Sequence, residues 1–132
     1  MTTTAAAAGT RRHTGTYPAE PGQVRHARAA LAGWLSGCMQ ADEAILIASE
    51  FAANSVLYSA SRDGSAFTLR AEVRPDRLRI EVEDAGGPWH DGPRDRSRRP
   101  HGFDVVTAIT GPGKWGIDGD ARRRTAWATL GR

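Results

Sequence analysis

A carboxylate and a carboxamide four residues apart, Glu50 and Asn54 in the stretch SEFAANSVLYSA (49–60), are placed where they could do chemistry. On a helix they stack one turn apart, about 40° from each other around the axis. A carboxylate in such a position can accept a proton or polarise water. A carboxamide oxygen is a donor that a hard cation takes. The neighbours are apolar: Ala44, Ala48, Phe51, Ala52 and Ser55 share one broad face. Leu46, Ala53 and Leu57 lie nearly opposite, with Ile47 and Tyr58 beside the polar pair. A helix apolar almost all round is expected to be buried on most sides, so the pair would point into a notch. A buried carboxylate is costly unless paired or used. The competing reading is structural, with Glu50 hydrogen-bonded to an arginine or a backbone amide.

A second constellation follows in VEDAGGP. Asp84 ends an alternating segment and is followed by Gly86 and Gly87, residues that let a backbone turn sharply or approach a ligand closely. The same pattern also serves as a plain turn. Residues 85–102 are rich in Gly, Pro and Arg and too long for a mere connector. Gly102 then opens a short helical segment, where free backbone amides form an anion site.

Periodicity supplies the elements that must hold these residues. RHTGTYPA (12–19) reads as a strand. A helix runs from Pro21 to about Gly37, with Val24, Ala27, Leu31, Trp34 and Leu35 at helical spacing. The helix of Glu50 spans Asp42 to about Ser59, and SRDGS (61–65) is a turn. Residues 66–75 and 76–84 alternate apolar and polar, a hairpin with Pro75 and Asp76 at its turn. Residues 103–111 form a short helix. Residues 114–118 and 124–130 are two more strands around a Gly-Asp turn at 119–120. Trp34, Trp115 and Trp127 sit in periodic segments and are expected in the core. Mixed elements in this order imply an α+β fold, helices on one face of a largely antiparallel sheet.

Composition narrows the class. The chain has 132 residues, 39% hydrophobic and 25% charged, one domain with a core of its own. Residues 1–11, rich in Thr, Ala and Gly, are expected to be a disordered tail before a domain of 12–132. A net charge of +3 is too small for a nucleic-acid surface. One cysteine, Cys38, excludes an intrachain disulfide, and the four histidines lack ligand spacing. There is no signal-peptide pattern and no apolar run of membrane length, so a cytoplasmic protein is expected.

The set Glu50-x-x-x-Asn54, Asp84-x-Gly86 and Gly102 before a short helix resembles the GHKL-type ATPases, the histidine-kinase-like ATP-binding fold. The likeness is greater to the small anti-sigma-factor serine/threonine kinases and their actinobacterial relatives. It covers roughly residues 12–131 through motif order and spacing. It implies a two-layer α/β sandwich with a largely antiparallel mixed sheet, and ATP with Mg²⁺ as cofactors. Position by position, it implies Asn54 as the Mg²⁺ ligand, Glu50 as general base and Asp84 as acceptor of the adenine amine. Gly86 and Gly87 would keep the floor under adenine open. Gly102 would let the lid backbone wrap the phosphates, and Thr125 would help bind adenine through water. The implied partner is a sigma factor, an anti-sigma-factor antagonist or another transcription regulator, with a possible homodimer. Where the second glycine box of the family has glycine, this chain has Pro100, which lacks an amide donor. The alternative is a scaffold that binds a transcription regulator, with or without nucleotide, and has no kinase activity.

Overall fold

The alternation in 66–84 builds the centre of the sheet. The computed structural model describes residues 3–7, 9–58, 65–86, 101–111, 113–119 and 122–131, apart from the side chains of 3–7, 58 and 101–103. Its elements are β1 (Thr3–Ala7), β2 (Thr10–Pro18), α1 (Gln23–Trp34), α2 (Ala41–Tyr58), β3 (Ala66–Val73), β4 (Arg77–Asp84), α3 (His101–Thr110), β5 (Trp115–Gly119) and β6 (Arg124–Gly131). Arg74 and Arg77 close the β3–β4 hairpin with an N–H to C=O bond of 2.8 Å, and Pro75 and Asp76 form its tip as expected. The sheet order is β1-β2-β3-β4-β6-β5. Every described pairing is antiparallel, in keeping with the largely antiparallel sheet that was expected. The β1–β2, β3–β4 and β5–β6 neighbours are joined by short connections, which permit only antiparallel pairing.

The two faces of the sheet differ because side chains alternate along each strand. Phe67, Leu69, Ala71 and Val73 of β3 and Leu78, Ile80 and Val82 of β4 are buried on one face. They meet Leu31 and Trp34 of α1, Ile47, Ala48 and Phe51 of α2, and Val106 of α3, all buried. Full burial of a side chain of this size contributes about 1.5–3 kcal/mol, so this layer carries the fold. The helices thus cover one face, and the α+β two-layer reading holds. The other face carries ion pairs between neighbouring strands: Arg12–Glu72 at 2.8 Å, Arg79–Glu81 at 2.7 Å along β4, and Arg70 to both Glu81 and Glu83. Among the described residues, no helix is long and apolar enough to cross a membrane.

Two expectations are corrected. The tail expected at 1–11 contains β1 and the start of β2, with Thr4 opposite His13. An edge strand is held by backbone bonds to its neighbour, a requirement on which a Thr/Ala-rich composition is silent. Trp127 is not in the core. Ala126 and Ala128 take the inward positions of β6, so Trp127 lies half-buried on the ion-pair face, with the Arg79 guanidinium 4.8 Å above its ring. Trp34 does reach the core and stacks on His13 at 5.3 Å, and half-buried Trp115 donates its Nε1–H to Thr107 Oγ1 at 2.7 Å. The helix α2 is buried on most sides as expected, and its exposed apolar residues are Leu46 and Leu57, 43% and 55% exposed. The described elements that pack on α2 are α1, α3 and the sheet, and these leave its outer flank open. The 61–65 turn lies outside the described residues except for Ser65, as does Asp120 of the turn at 119–120.

Gly119 closes the β5–β6 hairpin at φ +118°, and a Cβ there would lie 2.1 Å from the Arg123 carbonyl oxygen. A side chain clashes with the backbone itself, beyond the strain of the conformation. Gly119→Ala is expected to lower unfolding stability by about 2 kcal/mol or more, read by urea denaturation. Gly22→Ala is the control, since a Cβ there meets nothing within 4 Å. It should change stability by less than about 1 kcal/mol. Equal effects of the two substitutions would refute the close approach at Gly119.

Candidate functional site

Asp84 is the last residue of β4 and the period of that strand turns it inward, where it is 6% exposed. Two hydrogen bonds hold its carboxylate. Ser55 Oγ, one residue beyond Asn54 on α2, donates to Oδ2 at 2.6 Å. The Gly86 backbone N–H donates to Oδ1 at 2.7 Å. The second bond closes a small turn in which Asp84 caps its own chain, and Gly86 adopts φ +74°, a conformation natural to glycine. Arg124, the first residue of β6, stands opposite Asp84 in the register and is also buried. Burial pushes the Asp84 carboxyl above its ordinary value, while the Ser55 and Gly86 hydrogen bonds and the Arg124 charge oppose that rise.

The rest of the polar set lies on the same helix. Asn54 is buried and donates Nδ2–H to the Glu50 carbonyl at 2.9 Å. That bond fixes the amide and leaves Oδ1 as the atom able to take a cation. Glu50, one turn earlier, is half-buried, and its carboxylate is in no ion pair among the described residues. Its half-burial removes much of the penalty expected for a sealed carboxylate. Among the described residues no group of three or more His, Cys, Asp and Glu could hold a metal. Asn54 Oδ1 and the Glu50 carboxylate are oxygen donors, the type that a hard cation takes.

The structure links Asn54, Asp84 and Gly86 through Ser55, with Glu50 one turn away on α2. Gly102 is the second residue of α3, a helix packed on α2. Gly87 and the loop through Pro100 lie outside the described residues. Thr125 does not join this group. It pairs with Glu83 across the strands and, like Glu83, sits on the ion-pair face, because Arg124 and Ala126 take the inward positions. Sequence reasoning missed Ser55 and Arg124. On a helical wheel Ser55 counts as part of the apolar face. Arg124 is the last of three consecutive arginines, and only counting back by twos from Leu130, Ala128 and Ala126 marks it as inward. A hollow of about 460 Å³ lies across β2, β3 and β4, lined by Arg12, Arg70, Glu72 and Arg79 among others. It touches none of the candidate residues, and its arginines are already engaged in ion pairs with Glu72, Glu81 and Glu83.

Residues 17–118 match the histidine kinase-like ATPase domain family. That span contains Glu50, Asn54, Ser55, Asp84, Gly86, Gly87 and Gly102 and ends before Arg124 and Thr125. No curated protein matches the chain.

The shifts of Asp84 and Glu72 give stability contributions of opposite sign with pH. Asp84, raised chiefly by burial, binds a proton more tightly folded than unfolded. Its contribution is therefore fully present below the unfolded value and is lost as pH rises through the folded one. Glu72, lowered by its hydrogen bond to Arg74 and by Arg12, contributes above its unfolded value and loses that contribution as pH falls. The stability of the native protein minus that of Asp84→Asn should grow as pH falls from 7 toward 4. The same difference for Glu72→Gln should shrink. Urea denaturation across this range checks both slopes, and parallel slopes would contradict the assignment.

Proposed function

We propose that this chain, which belongs to the histidine kinase-like ATPase domain family, binds Mg·ATP and transfers the γ-phosphoryl group to a serine or threonine of a partner protein that controls transcription. The observation that carries the reading is the buried Asp84 carboxylate, held on both oxygens and tied by Ser55 to the helix of Glu50 and Asn54. A carboxylate has about four acceptor positions, so two bonds leave Asp84 able to accept the exocyclic amine of adenine. Asn54 Oδ1 is the protein's donor to Mg²⁺, which neutralises phosphate charge when bound. Glu50 is the general base toward the attacking hydroxyl. The backbone at the start of α3, with Gly102, suits phosphate oxygens. Phosphoryl transfer needs chiefly positioning and charge stabilisation, which one turn of helix bearing a base and a cation ligand can provide.

The partner in this reading is a sigma factor or an anti-sigma-factor antagonist, met in the cytoplasm by a chain that forms a homodimer. A second reading rests on one observation, Pro100 where the family's second glycine box has glycine. With one amide fewer for the phosphates, the chain would hold the same regulator without phosphorylating it.

Calorimetry with ATP, with and without Mg²⁺, tests the binding step, and absence of binding at millimolar ATP would sink the kinase reading and favour a scaffold that holds its regulator without nucleotide. Glu50→Ala should leave Mg·ATP affinity nearly unchanged and reduce phosphoryl transfer by roughly 10²-fold or more. Asn54→Ala should weaken binding only when Mg²⁺ is present. A regulator retained from extract with ATP, and then carrying phosphoserine or phosphothreonine, supports the kinase. Retention without phosphorylation in any nucleotide state selects the scaffold.

A further inference from the structure

We propose that Ser55 is the positioning residue that makes this site selective for an amino-bearing base. The inference rests on Asp84 being the base acceptor and deepens that reading. Ser55 is 3% exposed, and its hydroxyl hydrogen is directed to Asp84 Oδ2 at 2.6 Å. The Gly86 N–H holds the other oxygen at 2.7 Å. Two donors on two different oxygens, one from α2 and one from the backbone after β4, set the plane of the carboxylate. A carboxylate turned by rotation about its side chain would lose one of these bonds. Both bonds are donated to Asp84, so what it presents onward is acceptor lone pairs alone. A purine with an exocyclic amine meets a matched acceptor there. A purine with no substituent at that position gains nothing, and one with an oxo group meets like partial charge. The burial that raises the Asp84 carboxyl works against this preference, and the Ser55 and Gly86 hydrogen bonds and the Arg124 charge oppose that rise. A neutral carboxyl would carry its own donor and lose the preference, and the Ser55 bond resists that outcome.

The test separates orientation from mere support of the fold. Affinities are measured by calorimetry for ATP and for purine riboside triphosphate, which lacks the amine, on the native protein, Ser55→Ala and Ser55→Thr. Both variants are first checked for native unfolding behaviour. The native protein should prefer ATP. Ser55→Ala should weaken ATP by about tenfold, the worth of one hydrogen bond to a charged group, and leave purine riboside triphosphate unchanged. Ser55→Thr, which restores a hydroxyl, should recover the preference. Equal loss for both nucleotides, or no loss for either, overturns the role of Ser55 while leaving Asp84 as base acceptor. If the native protein binds the two nucleotides alike, the reading of Asp84 fails, and this inference fails with it.

Discussion

The hydrogen bond from Ser55 to Asp84, sealed from solvent, ties α2 to the end of β4, and the site is organised around it. A carboxylate taken from water without partners costs several kcal/mol. Here the partners come from three places in the chain: α2, the turn after β4, and the buried Arg124 across the strand pair. None is close to another in sequence except Asp84 and Gly86. The carboxylate is therefore tolerable only when helix, hairpin and β6 are all in place, which makes the site a property of the completed fold.

The same alternation that turns Asp84 inward decides what lies on each side of the sheet. Inward positions of β3 and β4 are apolar until the last residue of β4, where the layer ends and a polar group can serve a ligand at its margin. Outward positions carry arginines and glutamates that form ion pairs within and between neighbouring strands. Surface ion pairs of this kind contribute modestly to stability, and the Arg79 guanidinium over Trp127 covers an aromatic that the core does not take. The large hollow on that side is thus a trough in an ion-paired surface, and the candidate residues lie away from it.

On α2 two demands meet. The helix must bury Ala44, Ile47, Ala48, Phe51 and Ala52, and it must also carry Glu50, Asn54 and Ser55. Both are met because Ser55, within the apolar face, finds its partner in Asp84 of β4, while Glu50 and Asn54 lie on a separate arc of the helix. The remaining flank, with Leu46 and Leu57, is left exposed.

Local periodicity was enough to place the elements: the helices of 23–34 and 41–58, the β3–β4 hairpin and its Pro75-Asp76 tip were legible because period and turn chemistry are local properties. Glu50, Asn54, Asp84 and Gly86 were legible as candidates through their order along the chain, which resembles one family, since each pair alone also serves ordinary structural roles. What only the tertiary structure decided were relations across the chain. β1 depended on a free edge of β2. Whether Thr125 or Arg124 turned toward Asp84 depended on the register of β6, in which a shift of one residue exchanges the faces. Ser55 changed from a small residue on an apolar face to the partner of a carboxylate 29 residues away. Hydrogen bonds and register form between segments brought together by folding, and no single segment's pattern contains them.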